Sequence, residues 1–331
     1  MIDDVISPVY LVGGSVRDKL LGVKPKDFDY CTPLLPDEVE QIVKSAGKRA
    51  FTTGKRFGTI GFKHNGEFVE VTTFRKEVYG STRKPEVEYV ADLYEDLSRR
   101  DFTINAIAEK DGKYYDPFSG RKDLKEKIIR AVGTPTHRFK EDPLRMLRAC
   151  RFAAQLGFDI EEKTFNSIKK NAHKIMEVSK ERWTQELDRL ITSDYADKGI
   201  LYLLETDLMK FVLPELRLQF MYDQNSDYHD LPLHEHSIAT MMKVEKNKDL
   251  RWAALLHDIG KPFVRTDNIR GTSNYVFHDI IGADMVIGIG KRLKWSNERI
   301  NFVSDTIRHH LEDESPLREA DNSSKSKLVL K

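Results

Sequence analysis

The sequence predicts an α+β head of mixed strands and helices, followed by helical segments that end in a histidine-rich one. Three observations predict it. Residues 1–132 alternate short strand-like and helix-like stretches. After residue 133 the strand signals vanish and an apolar period of about 3.6 residues takes over. Seven of the ten histidines (His229, His234, His236, His257, His278, His309 and His310) fall between residues 216 and 315. The expected divisions are therefore 1–132, 133–215 and 216–315, with a polar, disordered tail over 316–331. A chain of 331 residues buries a sizeable core and holds roughly two or three domains. Its 40% apolar and 32% charged residues describe a soluble globular protein. The formal net charge is only +1, so any nucleic-acid contact must use local basic patches. Cys31 and Cys150 stand alone, which excludes a CxxC zinc site and a disulfide framework and points to a reducing cytoplasm. No apolar run approaches the ~20 residues that span a bilayer, and the first residues lack the pattern of a signal peptide.

The head opens on a short apolar run, Val9 to Val12, then Gly13-Gly14-Ser15, a helical stretch over 16–21, and Gly22 where a helix-ending glycine sits. The Gly-Gly-Ser turn presents bare backbone N–H groups at a helix N-terminus, where anions bind. Asp27 and Asp29 follow, flanking Phe28. Two residues apart on a strand, they share a face, and such a pair repels unless a cation lies between them. Mg²⁺, which takes oxygen ligands, suits that position. Residues 36–46 read as a helix with Val39, Ile42 and Val43 on one face. Residues 58–63 and 67–74 read as strands joined at Asn65-Gly66, a hairpin signal. In the second of these, alternation separates Glu70 from Val69 and Val71, making Glu70 a candidate third acid. Residues 76–90, with Gly80, Ser81, Thr82 and Pro85, read as a mobile loop. A short helix over 93–100 then leads into Arg99 to Ala106, RRDFTINA.

In the helical part, residues 139–156 carry Pro143 in the first turn and Asp142 near the N-cap. Leu144, Leu147, Phe152 and Leu156 lie on an inner face. Arg145, Arg148 and Arg151 recur every three residues, so they form a stripe; on residue types alone this is a cationic surface stripe paired with acids. Further helices are expected over 161–173, 180–192 and 195–204. Lys169, Lys170, Lys174 and Lys180 suit an RNA backbone or solvent equally. Farther on, His234 and His236 precede an amphipathic helix, and His257-Asp258 close an apolar one. His278 follows, and Asp305, His309 and His310 fall in a final helix. Histidines and acids on separate helices converge on one or two divalent metals.

GGSVRD (13–18), DFD (27–29), EVTTFR (70–75), RRDFTINA (99–106) and EDPLRMLRACRF (141–152) resemble the nucleotidyltransferases of the polymerase-β superfamily. More narrowly, they are similar to the bacterial-type tRNA nucleotidyltransferase (CCA-adding) and poly(A) polymerase family. HDIGK (257–261) resembles the signature of HD-type phosphohydrolases. The resemblance implies a polymerase-β-like head with a mixed sheet, a helical neck and body, and an all-helical HD domain. It implies transfer of C, C and A from CTP and ATP to the 3′ end of tRNA, with Mg²⁺ held by Asp27 and Asp29 and the site completed by Glu70. Gly13, Gly14, Arg17, Arg100, Asn105, Arg148 and Arg151 would meet the nucleotide's triphosphate or ribose. Asp142 and Arg145 would read its base: a carboxylate accepts from the exocyclic amine of C or A, and a guanidinium donates to a ring nitrogen or carbonyl. An Arg83-Lys84-Pro85 loop element accompanies full CCA addition in the family. In the HD domain His236, His257 and Asp258 would be ligands. The fourth would be Asp305 or a member of the His309-His310 pair, and His278 matches an extra histidine of two-metal HD domains. The metal there is a divalent transition ion or Mg²⁺. Poly(A) synthesis, partial addition of CC or A, and an HD-centred phosphodiesterase or phosphatase acting on RNA ends are the alternatives. The sequence leaves the oligomeric state open.

Overall fold

The computed structural model describes residues 2–25, 27–78, 86–220, 222–225, 231–269 and 271–325. The Arg83-Lys84-Pro85 element lies outside the described residues. The chain divides into two compact units, Met1–Glu141 with Asp159–Thr164, and Asp142–Phe158 with Phe165–Lys331.

The first unit is built on β1 (Tyr10–Val12), α1 (Gly14–Leu20), β2 (Phe28–Thr32), α2 (Pro36–Ser45), β3 (Thr59–His64) and β4 (Glu67–Thr73). It continues through β5 (Arg75–Val78), β6 (Glu86–Tyr89), α3 (Leu93–Ser98), β7 (Ala108–Lys110), β8 (Lys113–Tyr115), α4 (Gly120–Glu126), β9 (Ile128–Ile129) and α5 (Pro135–Glu141); β10 (Asp159–Ile160) pairs in parallel with β9. Six strands form a mixed sheet in the order β3-β4-β2-β1-β7-β8, the mixed sheet with helices that the sequence leads one to expect. Asn65 and Gly66 both take positive φ, as the tight β3–β4 hairpin demands. On one face Val39 and Val43 of α2 pack with Ile60, Phe62, Val69 and Val71. On the other, Cys31, Phe74, Leu97 and Ala108 form a second cluster with Val12. Period-two alternation puts Asp29 and Glu70 on this second face, beyond the end of its apolar cluster. Residues 76–78 and 86–89, expected within a loop, instead belong to an antiparallel ribbon of 75–78 with 86–89. Lys76 lies opposite Glu88, with 2.8 Å between their charges, a cross-strand pair that favours the ribbon over an open loop.

The second unit contains α6 (Leu144–Leu156), then α7 (Glu162–Asn171), which starts at the boundary of the units, α8 (Lys180–Ile191), α9 (Ala196–Glu205), α10 (Met209–Val212) and α11 (Pro214–Arg217). It continues with α12 (Leu233–Lys243), α13 (Lys248–Leu256), α14 (Lys261–Val264), α15 (His278–Arg292), α16 (Asn297–Arg308) and α17 (Arg318–Ser323), plus a small hairpin of β11 (Thr266–Asp267) and β12 (Ser273–Asn274). Ten of the thirteen residues of α6 are buried. Polar contacts tie α8 to the later helices. Asp188 accepts from the Trp252 indole at 2.8 Å and from the forked Arg299 guanidinium at 2.7 and 3.0 Å. Arg251 donates to the carbonyls of Ile191 and Ser193, which the end of α8 leaves unpaired.

The expected disordered tail differs. Within it, residues 318–323 are the helix α17, and Leu317, Ala320, Asp321 and Ser324 are buried at helical spacing. Burying one leucine contributes roughly 1.5–3 kcal/mol, about what ordering the backbone of two residues costs. Polar contacts therefore have to hold most of this short helix.

Candidate functional site

In the first unit the Gly-Gly-Ser turn and the Asp-x-Asp strand are stitched together by one hydroxyl. Ser15 Oγ donates to the Asp27 carbonyl at 2.9 Å and accepts from the Asp29 N–H at 3.0 Å. Gly13 sits at φ +68°, ψ −133°, a conformation restricted to glycine, and a Cβ there would lie 2.9 Å from the Arg100 guanidinium. Asp29 lies directly opposite Glu70 across the parallel β2–β4 pair. All three acids present exposed surface, yet the carboxyls of Asp29 and Glu70 are recessed enough for desolvation to act on them. Partial burial raises Asp29 above the usual carboxylate range; Arg100 opposes this and Asp27 reinforces it. Glu70 is raised by burial and then by the charges of Asp29 and Asp27. Asp29 and Glu70, both raised, beside the charge of Asp27 have the chemistry of a divalent-cation site.

The RRDFTINA stretch is the scaffold beneath them. Asp96, fully buried, accepts from Arg99 at 2.8 Å and from Arg100 at 3.0 Å. Burial alone would push the Asp96 carboxyl up, but the two guanidiniums outweigh it and hold it low. Asn105 accepts from Arg17 at 2.8 Å and donates to Asp101 at 3.1 Å, while Arg17 also grips Asp18. Phe102 and Ile104 are core, and Thr103 donates to Asp123 at 2.6 Å. Asn105 thus holds Arg17 in place.

In the second unit, Asp142 caps α6 through the Leu144 N–H at 3.1 Å. Its carboxylate is also gripped by the fork of Arg182, at 2.7 and 3.4 Å. Arg145 and Arg151 are buried, so the arginine stripe is not a solvated face. Glu186 is the reason: it accepts from Arg151 at 2.8 Å and pairs with Arg148 at 3.6 Å. Arg151 also lies over the Phe152 ring, 3.6 Å from its centre. Arg182 and Glu186, four apart on α8, are partners that the residue pattern of α6 alone did not reveal.

The histidine-rich region builds a second centre. Gly260 makes it possible: a Cβ there would sit 2.2 Å from the His278 carbonyl, so only glycine lets the end of α13 approach α15. Four histidines turn the same way. The Nδ1 atoms of His236, His257, His278 and His310 face the carbonyls of Ser324, Ala254, Tyr275 and Ile307 at 3.2, 2.8, 2.6 and 2.6 Å. An Nδ1–H that donates to a carbonyl leaves Nε2 as a bare acceptor. Those Nε2 atoms meet in pairs, His236 with His257 at 3.2 Å and His278 with His310 at 3.3 Å. Asp258 stands between the pairs. Its Oδ2 is 3.4 Å from His236 and 3.2 Å from His257, and its Oδ1 is 3.3 Å from His278 and 3.9 Å from His310. Asp321 adds a carboxylate 3.0 Å from His236 and 3.6 Å from His257. Lys261 approaches Asp258 Oδ2 at 2.7 Å, but that buried oxygen accepts no well-aligned hydrogen bond. Acceptors facing acceptors around Asp258 suit divalent cations in two groups, His236 with His257 and Asp258, and Asp258 with His278 and His310. In their absence His257 is pushed up to about 10: burial opposes, but Asp258 and Asp321 prevail. His310 falls to about 4, through burial and then the charge of His257.

His236, His257, Asp258 and His278 are thus brought together; Asp305 and His309 are not. Both are exposed. The inward face runs through Val303 and Ile307 on α16 and His310 just beyond its end, and Asp305 and His309 lie off that stripe. His310, the inward member of the His309-His310 pair, joins the cluster, and so does Asp321, which sequence reasoning missed. The signal for Asp321 was the spacing of Leu317, Ala320, Asp321 and Ser324.

The chain matches the family models for the poly A polymerase head domain over residues 9–130, the probable RNA and SrmB-binding site of polymerase A over 157–219, and the HD domain over 233–330. It is 46% identical over 211 residues to the CCA-adding enzyme of Geobacillus sp. (strain WCH70), a match covering 63% of this chain but 51% of that protein. The chain thus spans about half the length of that relative. To the CCA-adding enzyme of Lactococcus lactis subsp. cremoris (strain MG1363) it is 38% identical over 322 residues, 90% of this chain and 75% of that one. Among solved structures, the Bacillus stearothermophilus CCA-adding enzyme in complex with CTP superposes with a TM-score of 0.64 at 31% identity, covering 94% of this chain and 77% of that one. The Thermotoga maritima CCA-adding enzyme complexed with tRNA-CCA gives 0.64 at 26%, covering 95% and 68%. With a relative 38% identical across 90% of its residues, the chain belongs to the CCA-adding enzyme family.

Proposed function

We propose that the chain adds C, C and A to the 3′ end of tRNA, using CTP and ATP as donors and no nucleic-acid template. Asp29 in register with Glu70, beside Asp27 and the Gly-Gly-Ser turn, is the observation that carries this reading. Asp27 and Asp29 would hold Mg²⁺, and Glu70 would complete the site. Bound there, Mg²⁺ lowers the pKa of the terminal 3′-hydroxyl and offsets charge on the departing pyrophosphate. Arg100, anchored on Asp96, places positive charge beside Asp29 for the triphosphate. Arg17, locked by Asn105, does the same at the start of α1. Asp142 and Arg145 would select C or A by complementary hydrogen bonding, and Arg148 and Arg151, held by Glu186, would steady the helix that carries Arg145. In this reading residues 1–132 are the transferase head, 133–215 the neck and body that select the nucleotide and hold RNA, and 216–315 the HD domain, extended by α17. No described helix is long and apolar enough to cross a membrane, and we place the activity in the cytoplasm, where tRNA matures.

Incubation with tRNA lacking its 3′ end and labelled CTP, ATP or both tests the reading. C, C and A should be added in that order and addition should then stop; long ladders from ATP alone would reassign the chain to polyadenylation.

Arg182 leads to a prediction of its own. Its fork orients the Asp142 carboxylate, so Arg182→Ala should raise the KM for CTP and ATP by about 10-fold, as loss of a charge-assisted pair worth ~1.5 kcal/mol implies. Competition with UTP should show increased misincorporation. An unchanged KM and unchanged fidelity would mean that Asp142 needs no such support.

The histidine centre favours a second activity, hydrolysis of phosphoesters. His236, His257 and Asp258 would hold a divalent ion, which would supply a hydroxide nucleophile near neutral pH. Lys261, buried beside Asp258, is placed to offset charge on a phosphate.

A further inference from the structure

We propose that metal binding at the histidine centre latches the end of the described chain, so that residues 317–325 dock only on the metal-loaded protein. The inference rests on the reading of that centre as a metal site. His236 touches the segment from both sides of its ring. Its Nδ1 lies 3.2 Å from the Ser324 carbonyl and its Nε2 lies 3.0 Å from Asp321 Oδ1. A neutral imidazole donates from one nitrogen only. With Nδ1–H given to Ser324, the Nε2 lone pair faces the Asp321 carboxylate, acceptor against acceptor. Asp321 also converges with Asp258 on His257, at 3.6 and 3.2 Å, so two buried carboxylates share one side of the ring. A cation held among His236, His257, Asp258 and Asp321 would relieve the conflict at His236 and replace the contacts at His257 with coordinate bonds.

Little else holds the segment. Leu317 and Ala320 are its buried apolar side chains, and Lys243 donates to the Ser323 carbonyl at 2.5 Å and to its hydroxyl at 3.0 Å from an exposed position. α17 has six residues, too few to be stable as an isolated helix. Asp321 is the one ligand carried by this segment; His236, His257 and Asp258 sit on or beside α12 and α13. The first ligand group therefore clamps α17 to α12, while His278 and His310 belong to the other end of Asp258.

Hydrogen exchange of the full chain, stripped with chelator and then refilled with Mn²⁺, tests the latch, with bound manganese counted in parallel. Amides of residues 319–324 should exchange at least ~10-fold more slowly with Mn²⁺ at 100 times its Kd. Asp321→Asn should abolish that slowing, whereas His278→Ala, altering the other group, should keep it. Manganese retained with no change at 319–324 would overturn the latch and leave the metal centre standing. Slowing lost in His278→Ala would overturn its assignment to the first group. No manganese retained at all would remove the metal centre and the latch with it.

Discussion

Asp29→Asn should reduce nucleotide incorporation by roughly 10³-fold, the scale on which one preorganised charge-stabilising group matters, and should at the same time raise the melting temperature of the nucleotide-free protein. The two effects share a cause. Desolvation lifts Asp29 above its ordinary value, Arg100 only partly opposes this, and Asp27 adds to it. A carboxyl raised in the folded state contributes stability that is full below its unfolded value, near about pH 3.9, and lost as pH rises through the folded one. At neutral pH the ionised Asp29 therefore destabilises the empty protein. Asparagine keeps the shape and removes the charge, so the gain in melting temperature should appear at pH 7 and vanish toward about pH 4. Glu70→Gln should shift stability in the same direction, since burial and the charges of Asp29 and Asp27 raise Glu70 too. Mg²⁺ with CTP should raise the melting temperature of the parent protein by mass action and leave that of Asp29→Asn nearly unmoved. An Asp29→Asn protein that still extends tRNA, or that melts lower at neutral pH, would remove these acids from the centre of the mechanism.

The head was legible because its determinants are local. Period two along β4 places Glu70 opposite its apolar neighbours, and Asn65-Gly66 carries its own turn chemistry. What sequence reading missed depends on residues distant along the chain. Arg148 and Arg151 look solvated until Glu186, 35 residues beyond Arg151, pairs with the first and accepts from the second. Asp142 shows no side-chain partner near it in sequence because Arg182 lies 40 residues away. Residues 75–78 and 86–89 are too charged to read as strands, and the pairing of Lys76 with Glu88 exists only once they meet. At the histidine centre the error was one of rotation. His309 and His310 are neighbours in sequence, but a helical turn sends one to solvent and the other to the Nε2 atom of His278. Asp321 sits in a stretch whose composition reads as tail. Its burial goes with the two histidines it faces, His236 and His257, which composition does not record.

Asp258→Asn should have the largest effect on the second unit, and should do so without touching the first unit's chemistry. One carboxylate faces both histidine groups, Oδ2 toward His236 and His257 and Oδ1 toward His278 and His310. Asparagine offers one oxygen and no charge, so both ions should be lost, whereas His310→Ala should cost only the ion on its own side. Elemental analysis after gel filtration in Mn²⁺ distinguishes a loss of both from a loss of one. The substitution also removes the counter-charge of Lys261, whose buried ammonium lies 2.7 Å from the Asp258 carboxylate and also donates to the neutral Gln224 at 2.9 Å. Breaking a buried ion pair from one side costs roughly 3–5 kcal/mol, so the metal-free variant should melt well below its parent. Lys261→Met in the same chain should recover much of that loss, because an apolar side chain of similar length needs no partner. Metal binding should not return with it, and this separates the two roles of Asp258. If the centre is independent of nucleotidyl transfer, the doubly substituted protein should add C and A at close to the parental rate while phosphoester hydrolysis disappears. A parallel fall in both activities would mean that the histidine centre supports the transferase itself. Retention of both ions by Asp258→Asn would show that the histidine pairs hold metal without the bridge, and the geometry around Oδ1 and Oδ2 would then need another cause.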